Sequence, residues 1–114
     1  HTPQALSAAL QSLRAHLAGE AKLICVFGCG GDRDKGKRAL MGAAAEQYAD
    51  SLVVTNDNPR SENPAAIVSD ILDGMRQPEQ AKLELDRSQA IRIALELARE
   101  GDVVLISNYW RAAL

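Results

Sequence analysis

Leu23-Ile24-Cys25-Val26-Phe27-Gly28-Cys29-Gly30-Gly31 decides the fold: five apolar residues in a row, then a loop in which three of four residues are glycine. A strand with one wet face alternates apolar and polar residues. An unbroken apolar run rich in β-formers predicts a strand covered on both faces. Leu52-Val53-Val54 and Val103-Val104-Leu105-Ile106 have the same character. Between these runs the apolar residues recur at three and four positions, the spacing of one helix face.

Upstream, Thr2 caps a helix with Pro3 at its first position; Leu6, Leu10, Leu13 and Leu17 form its buried stripe and Gly19 ends it. A charged loop over 32–38 leads to an Ala-rich helix over about 39–48, and a strand follows over 51–55. Asn63-Pro64 opens a helix that buries Ile67, Val68, Ile71, Leu72 and Met75. A short strand is expected over 82–85. Asp86 with Gln89 resembles a capping box at the head of a helix carrying Ala90, Ile91, Ala94, Leu95, Leu97 and Ala98. Gly101-Asp102 turns the chain into a final strand over 103–106. This order predicts an α/β domain, Rossmann-like and doubly wound. Its sheet is mainly parallel, with helices on both faces and right-handed crossovers. There is no internal repeat, and Gln77-Pro78-Glu79-Gln80 is the one turn with the look of a linker.

Composition narrows the function classes. The 114 residues suit a single domain, 1–114, and 46% hydrophobic with 4% aromatic content calls for a core of Ala, Val, Ile and Leu. A net charge of -2 argues against nucleic-acid or membrane-surface partners. No segment approaches the roughly 18 apolar residues of a membrane span, and no signal peptide opens the sequence. Cys25 and Cys29 fit neither a CxxC redox motif nor half a zinc site, so two reduced thiols in a cytoplasmic protein are expected, and no metal ligands.

Two motifs fall short. Gly31 to Arg38 nearly spells the phosphate-binding pattern GxxxxGK[ST], but Arg38 stands where a hydroxyl must hold Mg²⁺, and the four intervening residues are all charged. Gly28-Cys29-Gly30 begins like GxGxxG, with Arg33 where glycine is needed. What remains is a pair of Arg-bearing loops, Gly30-Gly31-Asp32-Arg33-Asp34 and Asp57-Asn58-Pro59-Arg60, each following a strand. Ligands of such sheets bind beyond the carboxyl ends of the strands. A guanidinium grips a carboxylate with two parallel hydrogen bonds, a neighbouring Asp steadies it, and Pro59 stiffens the loop beside Arg60. Two cationic prongs converging on an anionic small molecule are expected; the competing reading is two solvated surface loops.

The run Val26-Phe-Gly-Cys-Gly-Gly-Asp-Arg-Asp-Lys-Gly-Lys-Arg38, followed by Val53-Val-Thr-Asn-Asp-Asn-Pro-Arg60, closely resembles the C-terminal domain of the Mur ligase family, in its diaminopimelate-adding branch. His1-Thr2-Pro3 is similar to the end of that family's Asp-Tyr-Ala-His-Thr-Pro segment. Gly101 to Ile106 resembles the strand before its Gly-Lys-Gly-His-Glu loop. The resemblance extends from residue 1 to about 106. It implies a cytoplasmic step of peptidoglycan precursor synthesis. ATP, with Mg²⁺, phosphorylates the γ-carboxylate of UDP-MurNAc-L-Ala-D-Glu, and the amine of meso-diaminopimelate attacks the acyl phosphate. It also implies that Arg33, Asp57, Asn58 and Arg60 contact meso-diaminopimelate and that His1 lies near the nucleotide. No residue here is implied to be catalytic.

Diaminopimelate differs from lysine by a distal carboxylate. A desolvated Arg60 left unpaired by lysine would cost about 3–5 kcal/mol, and sites built to bond a group can reject the analogue lacking it by roughly 10⁴-fold. The departures matter too. No P-loop ending in Lys-Ser/Thr occurs, so the ATP-binding central domain and the N-terminal domain are expected elsewhere in a longer ligase chain, the partner of this one. After Ile106 the sequence reads Ser107-Asn-Tyr-Trp-Arg-Ala-Ala-Leu114, departing from the family pattern. Residues 107–114 are either the remains of a later helix or a non-native end. Alone, the chain is expected to be an inactive acceptor half. Three rival readings stand beside this one: a free-standing amino-acid-binding module, an interaction domain with solvated loops, and the folylpolyglutamate synthase branch of the same fold, which gives no reason for Asp57 to Arg60.

Overall fold

A computed structural model describes residues 2–31 and 35–107, and the backbone of 110–113. The elements run α1 (Pro3–Ala15), β1 (Leu23–Phe27), α2 (Lys35–Tyr48), β2 (Ser51–Val54), α3 (Pro64–Leu72), a 3₁₀ turn (Pro78–Gln80), β3 (Lys82–Leu83), α4 (Arg87–Leu97), β4 (Val103–Ile106) and β5 (Trp110–Ala113). The sheet order is β3-β2-β1-β4-β5; every pairing among β1 to β4 is parallel, and β5 pairs β4 antiparallel. The α/β, mainly parallel sheet expected from the apolar runs is therefore the observed one.

The pleat of β1 explains why its sequence does not alternate. Leu23, Cys25 and Phe27 enter one core with Leu6 and Leu10 of α1, Met41 and Ala45 of α2, and Ile67 and Ile71 of α3. Ile24 and Val26 enter a second core with Ala90 and Ala94 of α4. All five β1 residues are buried because each face has its own helices. Three helices cover one face and α4 covers the other.

Several boundaries differ from expectation. The α1 helix stops at Ala15, with His16 as C-cap, and Gly19 (φ +62°) belongs to the turn that follows. The α2 helix begins at Lys35 rather than about Ala39, because Arg38 is part of the helix's inner face with Met41 and Ala45. Both β2 and β3 are shorter than expected, ending at Val54 and Leu83. Met75 is buried as expected but lies beyond the end of α3, and Leu95 and Leu97 of α4 are exposed. The largest difference is β5. Where 103–106 was expected to be the last strand, the chain returns with Ile106 opposite Trp110 and Val103 opposite Ala113. An antiparallel partner needs only a short connection, and it covers backbone groups that β4 would otherwise leave open at the sheet edge.

Candidate functional site

Neighbouring parallel strands deliver their exit loops side by side, and β1 and β2 are neighbours with Phe27 opposite Val54. Beyond this register the two loops stay bonded. Thr55 N–H donates to Phe27 O at 2.9 Å, and Gly31 N–H donates to Asn58 O at 3.0 Å. The glycines are demanded by this approach. A Cβ on Gly28 would stand 2.4 Å from Thr55 O, and one on Gly31 would stand 1.7 Å from Pro59 O. No side chain fits at either position without parting the loops.

The second loop is bent to meet the first. Asn58 (φ 49°) and Arg60 (φ 52°) both take left-handed backbone conformations, on either side of Pro59. Asn tolerates this region well; for Arg it costs on the order of 1–3 kcal/mol. The bend is held by the Gly31–Asn58 bond and by Arg60 Nη1, which donates to Gly31 O at 2.9 Å. Arg60 and Asn58 are exposed, while Asp57 is half-buried. An exposed guanidinium gains only about 0–1 kcal/mol from a carboxylate. Arg60 is thus not desolvated in this chain, and the desolvation that rejection of lysine requires must come from bound acceptor or from further protein covering the loop.

Asp57 faces α4: its Oδ1 lies 4.0 Å from Arg87 Nη1, and Arg87 Nη2 donates to Ser107 O at 3.3 Å. Arg87 therefore links the exit of β2 to that of β4, across the exit of β1. Cys29, in the exit loop of β1, feels the charges of Asp57 and Arg38. Burial, with Asp57 adding to it and Arg38 opposing, pushes its thiol up to about 11, and burial alone pushes Cys25 up to about 12. Both are free thiols.

Beneath the loops lies Arg38, the last residue of the incomplete phosphate motif. Arg38 is 1% exposed. Its Nη1 donates to Glu62 Oε2 at 2.9 Å and to Asp70 Oδ2 at 3.0 Å. Its Nη2 donates to Glu62 Oε1 at 2.7 Å and to Gly30 O at 3.0 Å. These bonds, that to Glu62 foremost, hold the guanidinium more firmly protonated than usual. One signal was available: Arg38 lies three residues before Met41 and seven before Ala45, on a stripe otherwise apolar. Nothing comparable marked Arg87 or Glu62.

Of the expected site residues, the structure brings Asp57, Asn58 and Arg60 to one edge beside Gly30 and Gly31. Arg33 and His1 lie outside the described residues. Lys35 to Arg38 form the first turn of α2, and Arg38 is committed to Glu62, Asp70 and Gly30, so this segment does not make a phosphate cradle. Among the described residues no three His, Cys, Asp or Glu gather into a metal site. The described residues thus offer no ligand set for a nucleotide-bound Mg²⁺.

Comparison with known proteins gives this edge a context. A curated relative, the UDP-N-acetylmuramoyl-L-alanyl-D-glutamate--2,6-diaminopimelate ligase of Coxiella burnetii, is 53% identical over 108 residues, which are 95% of this chain and 22% of the relative. A solved structure titled for the same ligase is similar with a TM-score of 0.85 and 43% identity, covering 93% of this chain and 22% of that one. The chain spans about a fifth of the length of these proteins. The family model "Mur ligase, glutamate ligase domain" matches residues 1–107, and with the shared parallel sheet it establishes that this chain belongs to that family.

Proposed function

We propose that the chain is the acceptor-binding domain of an ATP-dependent, amide-forming ligase that joins meso-diaminopimelate to UDP-MurNAc-L-Ala-D-Glu, a cytoplasmic step of peptidoglycan precursor synthesis. The observation that carries this reading is the locking of the two strand-exit loops, with the Arg60 guanidinium set against Gly31 O beside Asn58 and Asp57. The name of the 53% identical relative supports the choice of substrates.

In this reading Arg60 and Arg33 take carboxylate of the acceptor, and Asn58, with both a donor and an acceptor, fixes its orientation. Asp57 belongs to the same acceptor loop, with Arg87 of α4 beside its carboxylate. The amine forms a C–N bond to the activated γ-carbonyl of the D-glutamyl residue, the carbonyl's bond to the phosphate oxygen breaks, and the amine gives up a proton as phosphate leaves. ATP and Mg²⁺ supply the activated carboxyl in the whole ligase. His1 near the nucleotide is part of the same proposal. The residues of this chain bind and orient the acceptor.

The test belongs in the full-length ligase. Arg60→Ala is expected to raise the KM for meso-diaminopimelate by about tenfold or more, the scale of losing one well-placed ion pair in a closed site, while the KM for ATP stays within about twofold. Arg33→Ala is expected to act in the same direction. A change confined to the ATP dependence overturns the assignment of Arg60; an unchanged diaminopimelate KM in the Arg33 variant removes that residue from the site.

A further inference from the structure

We propose that Arg38 is a positioning residue for the acceptor site: by gripping both strand-exit loops from below, it sets the distance between them and so sets acceptor affinity without touching the acceptor. This rests on the reading of the two loops as the acceptor site. The partners of Arg38 are what distinguish it from an ordinary fold-supporting charge. Gly30 belongs to the exit loop of β1, Glu62 follows the exit loop of β2, and Asp70 lies on α3. One guanidinium on α2 thus joins three separate pieces of chain.

The path to the site is short. Gly30 precedes Gly31, whose N–H holds Asn58 O and whose carbonyl holds Arg60. Glu62 lies two residues after Arg60, and its N–H donates to Pro59 O at 3.0 Å. A shift at either end of the Arg38 fork therefore reaches the Arg60 guanidinium within two residues on each loop.

The physical cost argues against a role in packing alone. Taking a cation out of water is expensive, and an apolar side chain on the same inner stripe of α2 would fill the space without that penalty. Arg38 Nε, moreover, is buried without a hydrogen-bond partner among the described residues. What an apolar residue lacks is the rigid fork that serves two carboxylates and a carbonyl together. A lysine ammonium, a point charge on a flexible stem, cannot hold that geometry either.

Three variants of the full-length ligase test this: Arg38→Lys, Glu62→Gln and Asp70→Asn, each read for thermal stability, kcat and the KM values of both meso-diaminopimelate and ATP. A displacement of about 1 Å in a binding group can cost up to about a hundredfold. Arg38→Lys is therefore expected to raise the diaminopimelate KM by about tenfold or more, with kcat at saturation and the KM for ATP within about twofold. Glu62→Gln is expected to give a smaller rise of the same kind, and Asp70→Asn, at the hub's outer edge, the smallest. A lowered melting temperature with a wild-type diaminopimelate KM in Arg38→Lys means a purely structural role and overturns the proposal. Where Arg38→Lys does not fold, Glu62→Gln decides by the same criterion. Arg60→Ala separates the two levels. If it leaves the diaminopimelate KM unchanged, the acceptor-site reading falls; if it raises that KM while the hub variants do not, only the positioning role falls.

Discussion

Gly31 has its hydrogen as its side chain because Pro59 O occupies the place where a methyl group would stand, 1.7 Å from an added Cβ. Gly31→Ala must therefore push the two loops apart, breaking the bonds that Gly31 makes to Asn58 O and to Arg60. Overpacking of this kind costs about 1–3 kcal/mol. The expected outcome is a loss of stability in that range by urea unfolding, with acceptor binding lost beyond what stability explains; a variant with wild-type stability and a wild-type diaminopimelate KM would refute the tight approach. At this scale the sequence was half legible. Asp57, Asn58 and Arg60 stood out as a polar cluster at a strand end. The left-handed turns at Asn58 and Arg60, the exposure of Arg60 and the grip of Arg38 did not, because each depends on where a residue far along the chain comes to rest.

Helix starts were the most legible elements, since a cap is a local bond. Thr2 Oγ1 accepts from Ala5 N–H, Asn63 Oδ1 from Ala65 N–H and Asp86 Oδ1 from Gln89 N–H, each from within three residues. Asp86→Ala is expected to cost about 1 kcal/mol. Because α4 is the one helix among the described residues that covers the second face of the sheet, that loss should appear in the unfolding of the whole domain, measured as a shift in the denaturant midpoint at unchanged slope; no shift means the cap is dispensable. Not every start is as legible. The start of α2 was placed four residues late, because Lys35-Gly36-Lys37-Arg38 reads as a charged loop until the pairing of Arg38 with Glu62 and Asp70 is known. The β5 strand gave no alternating signal, and it exists as a partner for the open edge of β4.

Across the whole molecule, Asp102 ties together the end of the sheet opposite the site. It is buried, and its Oδ1 accepts from Lys22 N–H while its Oδ2 accepts from Arg99 N–H, both at 2.8 Å. These backbone bonds, that from Lys22 first, hold its carboxyl below the usual range. A carboxylate whose pKa is lowered by folding adds stability above its unfolded value, about 3.9. That contribution fades as pH falls from there through the lower, folded value. Asp102→Asn should therefore be less stable than the parent at neutral pH, and the gap should shrink toward acid pH. Urea unfolding from pH 7 down to pH 2 reads this directly, and a gap that does not change with pH would show that ionisation of Asp102 is not its source.

The alternation of helix and strand, the burial of both sheet faces, the caps and the family are all written in short-range spacing and contiguous motifs. Only the folded chain shows that α1, α2 and α3 share one face and α4 takes the other, that β5 closes the edge of β4, and that Arg38 joins Gly30, Glu62 and Asp70. The β5 strand pairs with the strand just before it, Trp110 opposite Ile106, but carries no alternating pattern that marks it. The face each helix takes and the hold of the buried Arg38 charge are settled by distant segments, 8 to 32 residues away for Arg38, and no local pattern encodes which partner arrives.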